Sequence, residues 1–349
     1  MEQKYNVTCS TDDNYVQHCV AMLCSLFENN NDKIFIVHLL VGELSDESRF
    51  ILDRLCKKYG NELVIYNITD EQVRNLAIND MTIDGKPMYS IATYYRMLLP
   101  SLLDKNIDRV LYLDCDVIVL ANVASLYLLN MENYGVAAVA DASPYDSYHR
   151  EKMGLSLAHD AFCAGVMMIN LQFWRDYSAQ DKLIDYANKS WKKIYMQDQD
   201  ALNYVFRDCW YKLPFKWGKT PLSICPLNNN QKYFDYYEYL YEPSILHFAS
   251  DLKPWLNVWT PDSHFYWEYL KKSECNLNHI TKTSFKFRLK AYNRLFRYFI
   301  NRYIRPFVPT FIEIILVDIY ILGILCYSML FNQKKFKQQI LSAWLRKYK

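Results

Sequence analysis

At 349 residues and 51% apolar content, the chain can fill a sizeable core, as one large α/β domain with an appendage or as two domains. Its ten cysteines form no Cys-x-x-Cys pair and no Cys/His cluster, so they indicate neither a zinc site nor a disulfide framework and fit reduced thiols in the cytosol; Met-Glu-Gln-Lys-Tyr-Asn-Val at the start lacks a charged-then-apolar pattern, so no secretion is expected. The net charge of +2 is uneven: residues 282–349 hold 14 Lys and Arg against Glu313 and Asp318, net +12, whereas the upstream part holds 26 basic and 36 acidic residues, net −10.

Residues 5–9 read as a short buried strand, and Ser-Thr-Asp-Asp-Asn at 10–14 as a turn whose Asp and Asn can cap a helix beginning near Tyr15. A strand at 33–40, an amphipathic helix at 46–59 stopped by Gly60, and a strand at 63–67 follow. This alternation implies a mostly parallel sheet with helices on both faces. Ligands of such sheets bind outside the carboxyl ends of the strands, where Asp12, Asn14 and Tyr15 fall. Ser90 can cap a helix running to about Leu103. Arg96 lies on that otherwise apolar element and calls for an anionic partner, either a carboxylate such as Asp114 or a phosphate.

Two apolar runs, Val110 to Leu113 and Val117 to Leu120, flank Asp114, Cys115 and Asp116. Carboxylates two apart on a strand leave the same face and can chelate one hard divalent cation, which would favour a diphosphate partner. The alternative is a turn between two strands with two solvated aspartates. A helix near 124–129 and a strand at 136–140 follow. The polar stretch 141–160, with Pro144, Tyr145, Tyr148 and His149, reads as a long loop able to act as a lid. Residues 162–171 form a buried strand whose small residues let the backbone approach a ligand at Ala164 and Gly165. A helix at 174–192 precedes Gln-Asp-Gln-Asp at 197–200, which opens a helix over 201–206 and sets polar side chains at its positive end. In Ile-Leu-His-Phe-Ala-Ser-Asp-Leu-Lys-Pro-Trp at 245–255, His247 taken alone reads as a structural histidine. Beside a cation held by two aspartates, it and Lys253 would complete the coordination and neutralise leaving-group charge.

Together these segments resemble a retaining glycosyltransferase of family 8, the group that includes bacterial lipopolysaccharide galactosyl- and glucosyltransferases and glycogenin. The resemblance covers residues 5–260 and rests on Thr-Asp-Asp-Asn-Tyr at 11–15, Ser-Ile-Ala-Thr-Tyr-Tyr-Arg at 90–96, Asp-Cys-Asp at 114–116, Gln-Asp-Gln-Asp at 197–200 and His-Phe-Ala-Ser-Asp-Leu-Lys-Pro-Trp at 247–255. It implies a single Rossmann-like, nucleotide-sugar-binding GT-A-type α/β domain over 1–270; the residue pattern beyond it reads as a basic, aromatic, amphipathic helical tail over 271–349. The resemblance also implies transfer of galactose or glucose from a UDP-hexose to a saccharide or glycolipid acceptor. Manganese or magnesium would be held by Asp114, Asp116 and His247. The implied donor contacts are Asp12, Asn14, Tyr15, Arg96, Asp114, Cys115, Asp116, Ala164 and Lys253, with Asp198 on the sugar hydroxyls and Gln199 beneath the anomeric carbon. Two positions depart from the family: Cys163 stands where an asparagine amide would contact the sugar, and Ser250 replaces a glycine. They point to an active enzyme with altered donor preference.

Residues 282–305 carry eight Lys and Arg and no acid, interleaved with Phe285, Leu289, Tyr292, Leu295, Phe296, Phe299 and Tyr303 near helical spacing. This is the pattern of a basic amphipathic helix on an anionic membrane, and its aromatic content argues against nucleic acid. Residues 307–331 are strongly apolar but include Glu313 and Asp318, so in-plane insertion is favoured over spanning or over packing on the catalytic domain. The expected location is cytoplasmic, at the inner face of the plasma membrane. A sugar nucleotidyltransferase and a silent, UDP-sugar-binding membrane scaffold are the competing classes.

Overall fold

The computed structural model describes residues 3–74, 91–141, 159–190, 196–220, 242–249 and 260–275, together with 82–83, 86–87, 151, 153–156, 194, 253–256, 291, 292 and 296. The chain divides into two compact units, Met1–Ser284 and Phe285–Lys349. Ser90, loop positions 142–150, Ser250 and nearly all of the two tail segments lie outside the described residues. Among the described residues no helix is long and apolar enough to cross a membrane.

The first unit opens with β1 (Lys4–Ser10), α1 (Val16–Glu28), β2 (Ile34–Val41), α2 (Asp46–Lys58) and β3 (Glu62–Asn67), the alternation expected from hydrophobic period. Asp12 Oδ1 accepts from the amides of Asn14 and Tyr15 at 3.0 and 3.1 Å, which fixes the turn into α1. Ser45 caps α2, and Gly60, with φ 69°, follows its end. A short helix α3 (Asp70–Val73) and the hairpin β4 (Thr82–Ile83) and β5 (Lys86–Pro87) follow. The element carrying Arg96 is a 3-10 stretch, Ile91–Leu98, before a short α4 (Leu99–Leu102). Pro100 suits only a first turn, so the expected single helix does not form as one regular α-helix.

Next come β6 (Arg109–Leu113), β7 (Val117–Val119), α5 (Ala124–Tyr127), β8 (Val136–Ala140), β9 (Phe162–Asn170), α6 (Leu171–Asp176), α7 (Ala179–Ser190), α8 (Asp198–Phe206), β10 (Trp210–Leu213), β11 (Ile245–His247) and α9 (Ser263–Lys272). The helix expected over 174–192 is two helices, broken at Ser178 with φ 51°. Seven strands form one sheet in the order β10-β8-β9-β6-β1-β2-β3. All pairs are parallel except those of β9, which runs against β6 and β8.

Alternation along the strands divides the interior into two cores. Val7, Cys9, Leu111, Leu113 and Met168 face α1 and α9; Val110, Tyr112, Met167 and Ile169 face α7 and α8. Residues Val16 to Phe27 of α1 are buried all round.

Two features of this topology build the site. Asp114, Cys115 and Asp116 form a turn and not a continuous strand, because β6 belongs to the large sheet while β7 leaves it to pair antiparallel with β11. That second ladder sets His247 opposite Val117, one residue from Asp116.

Candidate active site

The Asp-Cys-Asp turn is fastened at each of its three residues. The Asp114 amide donates to Gly165 O at 2.8 Å, the Phe248 amide donates to Asp116 O at 2.9 Å, and the Cys115 thiol donates to Ser10 O at 3.1 Å. The last contact joins the turn to the end of β1, beside the loop of Asp12, Asn14 and Tyr15. The solvated-turn alternative has the backbone right and the side chains wrong: one ligand atom each of Asp114, Asp116 and His247 lies within 4.8 Å of the others. His247 Nε2 is 3.2 Å from Asp116 Oδ1 and 3.7 Å from Asp114 Oδ2.

Each carboxylate divides its oxygens between two tasks. Asp114 Oδ1 accepts from Arg96 Nη2 at 2.9 Å and from the Tyr112 hydroxyl at 3.0 Å, and Oδ2 faces His247. Asp116 Oδ2 pairs with Lys253 Nζ, and Oδ1 faces His247. Asp116 Oδ1 is buried and has His247 Nε2 beside it without a well-directed hydrogen bond, an arrangement that a cation between the two could complete. Two carboxylate oxygens and an imidazole nitrogen suit a divalent ion with manganese- or magnesium-like preferences, so the residues present fit the implied metal. Burial alone would raise the Asp116 carboxyl, but Lys253 and His247 hold it well below the usual carboxylate range. Burial opposes protonation of His247, yet Cys163 and Asp116 beside it push its pKa well above 6.5.

Gly165 makes the convergence possible. A Cβ there would sit 2.1 Å from His247 Cε1 and 2.7 Å from Asp114 Oδ2, so only glycine lets β9 pass this close. The close approach expected at this position is therefore to the His247 ring. At the preceding residue, the Ala164 amide donates to Gln199 Oε1 at 3.0 Å, and its carbonyl accepts from Arg96 Nη1 at 2.7 Å. Both backbone groups of Ala164 thus serve protein partners.

Arg96 is 4% exposed and sits 4.1 Å above the Tyr112 ring. Carboxylate pairing, one of its two expected partners, is observed twice: Asp114, and Asp198 Oδ2 at 2.9 Å from Nε. Nε also donates to Thr93 O at 3.0 Å, and Asp198 Oδ2 receives no well-directed hydrogen bond. Burial, against the pull of Arg96 and helped by the Asp114 charge, pushes the Asp198 carboxyl up to about 7. The segment presenting Asp198 and Gln199 is strained at Gln197, with φ 53° and ψ −127°. The Tyr94 hydroxyl braces it by donating to Gln197 Oε1 at 2.6 Å.

Asn14 lines a cavity of about 270 Å³ together with Asp13, Gln17, His18, Ser45 and Ile51. Tyr15 is 41% exposed and stands edge-on to His18 and Trp255, which stack at 3.5 Å. The structure therefore brings Arg96, Asp114, Asp116, Ala164, Asp198, Gln199, His247 and Lys253 into one contact network, with Asp12, Asn14 and Tyr15 beside it through Cys115. Sequence reading missed Asp141, whose Oδ2 accepts from Gln199 Nε2 at 3.0 Å, and Tyr112 beneath Arg96. Asp141 follows the apolar run of β8 at its carboxyl end, the signal that could have marked it.

Comparison with known proteins agrees with this architecture. General stress protein A of Bacillus subtilis is 29% identical over 284 residues, covering 77% of this chain and 94% of that protein. Lipopolysaccharide 1,2-glucosyltransferase of Escherichia coli is 26% identical over 258 residues, covering 72% and 74%. The crystal structure of galactosyltransferase LgtC with donor and acceptor sugar analogs has a TM-score of 0.66, covers 82% of this chain and 99% of that one, and at 20% identity shares the fold. The family profile described as Glycosyl transferase family 8 matches residues 6–258, and the chain belongs to that family.

Proposed function

We propose that the chain transfers galactose or glucose from a UDP-hexose to a saccharide or glycolipid acceptor in lipopolysaccharide- or capsule-type glycan synthesis, with a divalent cation and with retention of configuration. The single observation carrying this reading is the convergence of Asp114, Asp116 and His247, each with an atom turned inward and its remaining polar atoms held by the protein. A cation bound there would stabilise negative charge on the departing diphosphate. Lys253 adds a second positive charge on the same side, and on donor binding its pairing with Asp116 would be exchanged for phosphate oxygens. Tyr15, exposed beside the β1 end of the sheet, is the candidate platform for the base, with Asp12 and Asn14 for the nucleoside.

Gln199 is held at both ends of its amide, by the Ala164 N–H on Oε1 and by Asp141 on Nε2. An oxygen already accepting a hydrogen bond is a poorer nucleophile, which favours a dipole role for Gln199 at an oxocarbenium-like centre over a nucleophilic one. Asp198, beside Arg96, is assigned to the sugar hydroxyls. The names of two relatives, a lipopolysaccharide 1,2-glucosyltransferase and a lipopolysaccharide 1,3-galactosyltransferase, support the hexose and the glycan class. The 14 basic residues of 282–349 support docking on an anionic membrane surface.

The experiment is a screen of UDP-sugars for release of UDP by the full chain with and without Mn²⁺, in the absence of acceptor. Slow Mn²⁺-dependent hydrolysis of UDP-galactose or UDP-glucose is expected, lost in Asp116→Asn. Consumption of a nucleoside triphosphate would instead identify a nucleotidyltransferase, and binding without turnover of any donor, even with acceptors supplied, a silent scaffold.

A further inference from the structure

The opening of β9 contacts both halves of the site, and its side chains divide by parity. Positions 163 and 165 share one face of the strand. Gly165 lies flush against the His247 ring at Cε1, and Cys163 Sγ is 3.4 Å from Nδ1 of the same ring. The resemblance to the family implies that Cys163 removes an amide from the donor sugar; the structure turns the sulfur toward the histidine.

We propose that Cys163 is a positioning residue of the cation site: its sulfur accepts the Nδ1 proton of His247 and so holds Nε2 toward Asp114 and Asp116. The proposal rests on the metal reading of that triad. A neutral imidazole carries one proton, and a ring that ligates through Nε2 must keep it on Nδ1. Sulfur is a weak acceptor, but 3.4 Å is within its hydrogen-bonding range. Gly165 blocks ring movement on one side, so the Sγ contact and the steric wall together define one orientation. Groups that orient a ligating histidine usually set the affinity for the ion. Cys163 is also half-buried whereas most described cysteines are buried, so a small thiol reagent can reach it. Its thiolate would add across the double bond of N-ethylmaleimide, with the solvent proton going to the ring carbon and no leaving group.

The test is Mn²⁺ binding by the full chain, read from the electron paramagnetic resonance signal of free Mn²⁺, with and without UDP. Cys163→Ala is expected to bind Mn²⁺ about 10-fold more weakly than wild type, with Cys163→Ser, which restores an acceptor, closer to wild type. N-ethylmaleimide should weaken binding by wild type and leave Cys163→Ser unaffected. Wild-type Mn²⁺ affinity in Cys163→Ala, or a change confined to the KM for the donor, overturns the proposal and returns Cys163 to the sugar. Asp116→Asn serves as the reference: if it too binds Mn²⁺ like wild type, the triad is not the metal site, and the failure lies in that reading.

Discussion

Asp114 and Asp116 are informative as residues because they break the rule that a buried apolar segment excludes charge. Their spacing was legible in the sequence, and so was the grouping of His247 with them, which the structure brings together. The inter-residue bonds were not, since Cys163 on His247 and Asp141 on Gln199 depend on approach through space between segments far apart in the chain that carry no mutual sequence signal. Gly165→Ala places a methyl group against the His247 ring and is expected to weaken Mn²⁺ binding about 10-fold or more, at a stability cost of about 1–3 kcal/mol. Mn²⁺ titration together with a thermal melt checks both figures. Asp198 predicts a pH effect. A carboxyl raised from 3.8 to about 7 on folding binds its proton more tightly in the native state. Its stability contribution is therefore complete below pH 3.8 and is lost as pH rises through 7, by about 4 kcal/mol at most. Unfolding free energies of metal-free wild type and Asp198→Asn, compared from pH 4 to 8, should diverge in that direction; parallel curves would show that Asp198 is ionised throughout.

At the level of elements, the first five alternate as hydrophobic period dictates, because each buries one face on a sheet growing in chain order. Later elements were harder to read. Nothing in periodicity carries strand direction, so the reversal of β9 was invisible. The break at Ser178 occurs without glycine or proline, and β10 is only four residues long at the sheet edge. The helix carrying Arg96 was expected from its apolar spacing, yet the backbone winds as 3-10 so that the guanidinium reaches Ala164, Asp114 and Asp198 at once. The central element of one core is α1, buried between the sheet and α9, with Leu23 fully covered. Leu23→Ala should cost about 2–5 kcal/mol in chemical denaturation while leaving Mn²⁺ affinity near wild type, which separates support of the fold from support of the site.

For the molecule as a whole, charge separation along the chain suggests a division of labour, with chemistry in the acidic N-terminal unit and surface attachment in the basic C-terminal one. A chain ending at Ser284, the limit of the first compact unit, is expected to keep Mn²⁺-dependent UDP release and to lose sedimentation with vesicles containing phosphatidylglycerol. Sedimentation of the full chain that persists in high salt would indicate insertion of apolar residues, and complete release by salt would indicate electrostatic attachment alone.

The proposed transfer requires that Asp114, Asp116 and His247 share one cation. Crystals grown with Mn²⁺ and UDP test it through the anomalous signal of manganese. One strong peak is expected at about 2.0–2.6 Å from a carboxylate oxygen of each aspartate and from His247 Nε2. A peak away from these three groups, or none in crystals that contain bound UDP, would contradict it.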